Sequence, residues 1–170
     1  MGVNIEKRIF GKNWKKSGIY LNMKLHEEVL RIRELLGEEK EQKIFRVPGL
    51  EFFHEDPWKA WQILQKVLEH RGNPPYTIGG NLDLEGTPIE SLGNLISVEG
   101  YLDLSNTPIE YLENLESVGG GLALYGTPIK SLGNLQSVRL NLFLINTPLS
   151  KKYTEEEIRQ MVDVGGDIYL

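Results

Sequence analysis

Residues 80–139 are three consecutive copies of one 20-residue unit: GNLDLEGTPIESLGNLISVE, GYLDLSNTPIEYLENLESVG and GGLALYGTPIKSLGNLQSVR. A fourth copy opens as LNLFLINTPL at position 140, and a fragment of a fifth, GDIYL, follows at 166. A fixed period of this kind restricts the chain to an array in which each unit stacks on the one before. Leu82, Leu102, Leu122 and Leu142, with Leu84, Leu104, Leu124 and Leu144, alternate with other residues, the pattern of a short strand with one buried face. Thr-Pro at 87–88, 107–108, 127–128 and 147–148 ends each strand, because proline lacks a ladder donor and keeps the preceding residue extended. Ile89, Leu92, Leu95 and Val98, with their equivalents, then return the chain beneath the strand, and glycine before most strands allows the corner. A single unit orders more backbone than its few apolar side chains can offset, so the array must fold as one body.

At these residues the chain resembles the leucine-rich repeat family. The family pattern LxLxxNxL corresponds to LDLEGTPI (82–89), LDLSNTPI (102–109), LALYGTPI (122–129) and LFLINTPL (142–149), with threonine in place of the usual asparagine. The resemblance implies an α/β fold, a solenoid of short parallel strands with a helical N-terminal cap and a C-terminal capping helix. It also implies that Thr87, Thr107, Thr127 and Thr147 turn their hydroxyls inward onto the backbone of the neighbouring turn. Asn94, Asn114 and Asn134 resemble a second structural ladder. The alternative architecture is a parallel β-helix, which carries more than one strand per turn. A family defined by its scaffold leaves function to particular sites.

The charge is unevenly spread. Residues 1–78 hold 14 Lys/Arg against 11 Asp/Glu, whereas 79–170 hold 5 against 13. An acidic array disfavours nucleic acid on the repeat face and favours a protein or peptide with a basic patch. The absence of cysteine excludes a disulfide-stapled fold and a thiolate metal site. No run of about 18 apolar residues marks a transmembrane segment and no signal peptide is evident. The expected setting is cytoplasmic.

The chain divides into four parts. Residues 1–22 form a basic arm in which Phe10, Trp14 and Tyr20 are interleaved with lysines; such an arm is either solvated or bound to nucleic acid or an acidic membrane. Residues 23–50 comprise an amphipathic helix to about Lys43, with Leu25, Val29, Ile32 and Leu36 on one stripe, and a connector whose IFRVP (44–48) reads as extended. The segment LHEEVLRIRELLG (25–37) resembles helical leaders on assorted proteins of marine bacteriophages, which implies a phage origin and so a host-cell interior or a virion. Residues 51–78 hold the capping helix: Asp56-Pro57 supplies an N-cap and first turn, Trp58, Trp61, Leu64, Val67 and Leu68 one apolar face, and Gly72 with Pro74-Pro75 the stop. The repeat array spans 79–170. It contains a helical insertion near 154–163, where Thr154 and Glu157 form a capping box and Ile158, Met161 and Val162 the apolar side.

Catalytic constellations are scarce. His26, His54 and His70 are far apart, and His54-Glu55-Asp56 points in different directions from adjacent positions, so no metal and no cofactor is assigned. Asp83 and Asp103 share a strand position one turn apart, about 5 Å, and read as a solvated acidic stripe ahead of an acid–base pair. The candidate surface is the outward side of the strands. Its columns are Asn81/Tyr101/Gly121/Asn141, then Asp83/Asp103/Ala123/Phe143/Tyr169, then Glu85/Ser105/Tyr125/Ile145. From these, Asn81, Asp83, Glu85, Tyr101, Asp103, Tyr125, Phe143 and Tyr169 are assigned to partner binding, because they vary on a constant frame and include exposed aromatics. The face covers about 300 Å², against about 800 Å² per partner in a standard interface, which suits a peptide or loop. The expectation is a non-catalytic protein-binding or scaffolding module. The alternatives are a virion or assembly component docking through residues 23–43, and a nucleic-acid adaptor working through the basic arm.

Overall fold

Strand pairing in this chain follows the repeat register. The computed structural model describes residues 43–170; the basic arm and the 23–43 helix, up to residue 42, lie outside the described residues. Within the described residues, eleven short strands form two parallel sheets. One has six strands in the order β1 (Phe45–Val47), β2 (Tyr76–Ile78), β4 (Leu95–Val98), β6 (Ser117–Val118), β8 (Ser137–Val138) and β10 (Asp163–Val164). The other has five, in the order β3 (Leu82–Asp83), β5 (Leu102–Asp103), β7 (Leu122–Ala123), β9 (Leu142–Phe143) and β11 (Ile168–Tyr169). Leu82 pairs with Leu102, Leu102 with Leu122 and Leu122 with Leu142, each one unit apart, and Leu142 pairs with Ile168 across a longer final turn.

Each unit therefore carries two strands rather than the single one of the leucine-rich pattern. The return limb, read from sequence only as chain turning back, joins the six-stranded sheet through Glu116 N–H to Ile96 O (2.8 Å) and Gln136 N–H to Glu116 O (2.8 Å). The cause is that its backbone groups need partners, and the unit period sets identical limbs side by side. Leu82 and Leu84 from one sheet, Leu95 and Val98 from the other, and Ile89 and Leu92 between them are all buried, as are their equivalents, in one cluster from Val47 to Ile168.

The turn after each strand of the five-stranded sheet explains a detail of the sequence. Gly86, Asn106, Gly126 and Asn146 all have φ between 57° and 68°, the left-handed region that glycine and asparagine tolerate best. Thr87, Thr107, Thr127 and Thr147 follow them, and each donates both its N–H and its hydroxyl to the leucine carbonyl three residues back; the hydroxyl bonds are 2.7–2.8 Å. The expectation that these hydroxyls reach the neighbouring turn is thus corrected. The turn-to-turn bonds there are already made by backbone, as in Gly86 N–H to Ser105 O (2.9 Å), and the short side chain closes its own turn instead. Asn94, Asn114 and Asn134 do reach across, donating to Asn73 O (2.6 Å), Gly93 O (3.4 Å) and Glu113 O (3.1 Å).

A second left-handed position lies one residue before these asparagines. Gly93 (φ 60°) and Gly133 (φ 59°) occupy it in two units, but Glu113 (φ 52°) occupies it in the middle one. Its carboxylate accepts from Ser91 Oγ at 2.8 and 2.9 Å on the exposed surface. Relief of the side chain's steric penalty should outweigh that exposed contact. Glu113→Gly is expected to stabilise the fold by about 0.5–1 kcal/mol, read as a rise of about 1–4 °C in melting temperature.

Helix α1 (Pro57–His70) abuts the first turn. Asp56 caps it, its carboxylate accepting from Lys59 N–H at 3.0 Å, an interaction that holds the carboxyl below its usual range. Ala60, Trp61, Leu64 and Leu68 are buried in the common cluster, with Trp58 packed against it. Gly72 (φ 78°) and Asn73 (φ 51°) end the helix. Buried Tyr76 then donates to Leu92 O at 2.8 Å, and burial pushes its phenol far above the ordinary value.

The fourth unit departs from the others. Thr147 caps a helix, α2 (Pro148–Lys152), through a reciprocal Thr147–Ser150 box, so this Thr-Pro begins a helix as well as ending a strand. A second box, Thr154–Glu157, opens α3 (Glu155–Met161). Ile158 and Val162 are buried, whereas Met161 is exposed and does not share their apolar face.

Candidate functional site

The five-stranded sheet presents three columns of outward side chains. In the first, Asn81 accepts Tyr101 N–H at 2.8 Å, and Asn141 accepts Asp167 N–H at 3.0 Å. Both carboxamides therefore tie one turn to the next. The Tyr101 ring lies over Gly121, where a Cβ would come within 2.9 Å of it. Partial burial, and then the carboxylates of Asp103, Asp83 and Glu85, push the Tyr101 phenol above its usual range, so it stays a neutral donor.

In the middle column the register aligns Asp83, Asp103, Ala123, Phe143 and Tyr169. Asp83 accepts Glu85 N–H at 3.1 Å and Asp103 accepts Ser105 N–H at 2.8 Å. Each carboxylate thus supports its own turn with one oxygen. At the other end Phe143 and Tyr169 stack with centroids 4.8 Å apart and planes 6° from parallel. In the third column Glu85 and Tyr125 are exposed, and the Tyr125 hydroxyl accepts from Asn146 Nδ2 at 3.1 Å.

Gly121, Ala123 and Ser105 stand at outward positions of the alternation, yet all three are buried. They are the small residues of their columns, and the Tyr101 ring, one turn away, covers Gly121. The exposed face therefore divides into two patches. One is acidic, with Asp83, Glu85 and Asp103; the other is aromatic, with Tyr125, Phe143 and Tyr169. None of these outward positions is Lys or Arg.

Two features escaped the sequence reading. Asp167 extends the first column in the last turn. On the six-stranded sheet, Thr77, Ser97, Ser117, Ser137 and Asp163 align in register, a column signalled by the recurring Ser-Val dipeptide. The histidines of the described region serve backbone: His54 Nδ1 accepts Asp56 N–H at 2.8 Å, and His70 Nδ1–H donates to Lys66 O at 2.7 Å. His54, Glu55 and Asp56 do not converge, and among the described residues no group of three or more His, Asp or Glu could hold a metal ion. Nor is any described helix long and apolar enough to cross a membrane. A small cleft of about 320 Å³ lies between α1 and the first turn, lined by Gln65, Leu68, Asn73, Pro74, Tyr76, Gly93 and Asn94. Comparison with protein-family models, curated proteins and solved structures found no match.

Proposed function

We propose that residues 79–170 form a solenoid of leucine-rich repeats that carries a second strand in each turn, as the alternative β-helix architecture does, capped by α1 and α3, and that its five-stranded face binds a protein or peptide without catalysing a reaction. One observation carries this reading. The inward positions repeat almost unchanged from unit to unit, while the aligned outward column runs Asp83, Asp103, Ala123, Phe143, Tyr169. Packing needs the first set and accounts for none of the variation in the second. Stacked, partly exposed aromatics beside carboxylates suit a partner segment carrying both an apolar and a basic residue. A cytoplasmic setting belongs to the same proposal.

The test is a pull-down from source-organism lysate with three baits: the intact chain, a chain lacking residues 1–43, and a Tyr101→Ala, Asp103→Ala, Tyr125→Ala, Phe143→Ala variant shown to be folded by circular dichroism. The face variant is expected to lose its partner by about 30-fold or more in affinity, the scale of one interface hot spot. The truncated chain should retain it. Loss on truncation alone would move recognition to the N-terminal region, and retention by both would overturn the assignment of the face.

A further inference from the structure

Two series of backbone hydrogen bonds run the length of the array at the corner between the sheets. In one, Glu99, Gly119, Arg139 and Gly165 donate N–H to Ile78, Val98, Val118 and Val138, at 2.8–3.0 Å. In the other, Gly100, Gly120, Leu140 and Gly166 donate to Gly80, Gly100, Gly120 and Leu140, at 2.8–3.1 Å. The next acceptors in the two series are the carbonyls of Val164 and Gly166. Both are taken by one side chain. Arg159 donates from Nη1 to Val164 O at 2.7 Å and from Nη2 to Gly166 O at 2.8 Å. Its Nε is held by Glu155 Oε1 at 3.0 Å, one helical turn away on α3.

We infer that Arg159 terminates the array: its guanidinium stands in for the two backbone donors of a following turn and bars a second copy of this chain from adding there. The geometry suits arginine because its planar fork presents parallel N–H groups at fixed spacing. Unsatisfied strand edges are templates for further pairing, and a charged side chain over the edge is a recurrent way of blocking them. Here the charge is also bonded to the acceptors that a new turn would use.

Sedimentation velocity over a concentration series, on the full chain, tests this. Arg159→Ala should sediment with a weight-average mass above that of the unaltered chain, rising with concentration. Arg159→Lys should do the same to a smaller extent, because one ammonium keeps the charge but cannot hold both carbonyls and Glu155. A folded Arg159→Ala variant matching the unaltered chain at every concentration would overturn the inference, as would a rise in mass for alanine but none for lysine. If the alanine variant does not fold, nitrogen-edited NMR of the unaltered chain decides. Separate, slowly exchanging Nη protons for Arg159 support the inference, and signals averaged with the other arginines refute it.

Discussion

Leu104→Ala is expected to destabilise the fold by about 2–5 kcal/mol, the range for removing a fully buried leucine whose surroundings only partly collapse. Leu104 is 0 % exposed in the second unit, and its carbonyl receives both the N–H and the hydroxyl of Thr107. Leu84 and Leu124 lie one turn to either side, so the cavity would open among side chains held by two neighbouring registers. The consequence should extend beyond the site. Each unit contacts mainly its neighbours, and a weak central layer would divide the stack into two parts with different stabilities. Urea denaturation followed by far-ultraviolet circular dichroism should show an earlier midpoint. A shallower slope would mark a break in the single transition. A loss below about 1 kcal/mol would mean that the core relaxes far more easily than dense interior packing allows.

Trp61→Ala should cost about 3–5 kcal/mol, as expected for a large buried aromatic. Trp61 is 4 % exposed on α1 and shares the cluster that runs through both sheets. Its loss tests whether the helix belongs to the same cooperative unit as the strands. If it does, helix and sheets melt together at a lower temperature, visible as coincident transitions at 222 nm and by near-ultraviolet dichroism. A helix that melts alone, leaving the strand signal at its original midpoint, would show that the first turn does not depend on it.

Much of this fold was legible in the sequence because the signals were local or recurred at a fixed period. Asp56-Pro57 marked the start of α1, Thr154 with Glu157 marked α3, and the alternating leucines marked the five-stranded sheet. The six-stranded sheet was less visible. Ile89, Leu92, Leu95 and Val98 recur every three residues, neither the period of a strand nor that of a helix, and their limb becomes a strand only by pairing with the next copy. The threonines illustrate a different failure. Their inward orientation is what the family resemblance implies, but the left-handed turn at Gly86, Asn106, Gly126 and Asn146, which spacing does not reveal, sets each hydroxyl on the carbonyl of its own turn. At the candidate face, the middle column was readable from register alone. What spacing could not reveal was which outward positions neighbours cover, as Tyr101 covers Gly121, and that Asp83 and Asp103 each use an oxygen on their own backbone.

The constant register has a consequence for how such a chain can change. Residues 100–119 are joined to the units before and after them by largely equivalent backbone bonds, as in Gly100 N–H to Gly80 O and Gly120 N–H to Gly100 O, or Leu82 N–H to Tyr101 O and Leu102 N–H to Gly121 O. Unequal exchange between copies in the gene, shifted by a whole unit, would therefore lengthen or shorten the body by about 4.8 Å while leaving α1 at one end and Arg159 at the other. Each such event would also add or remove one row of outward side chains. The reach of the outward strand face can thus evolve in discrete steps, separately from the identity of the residues it displays.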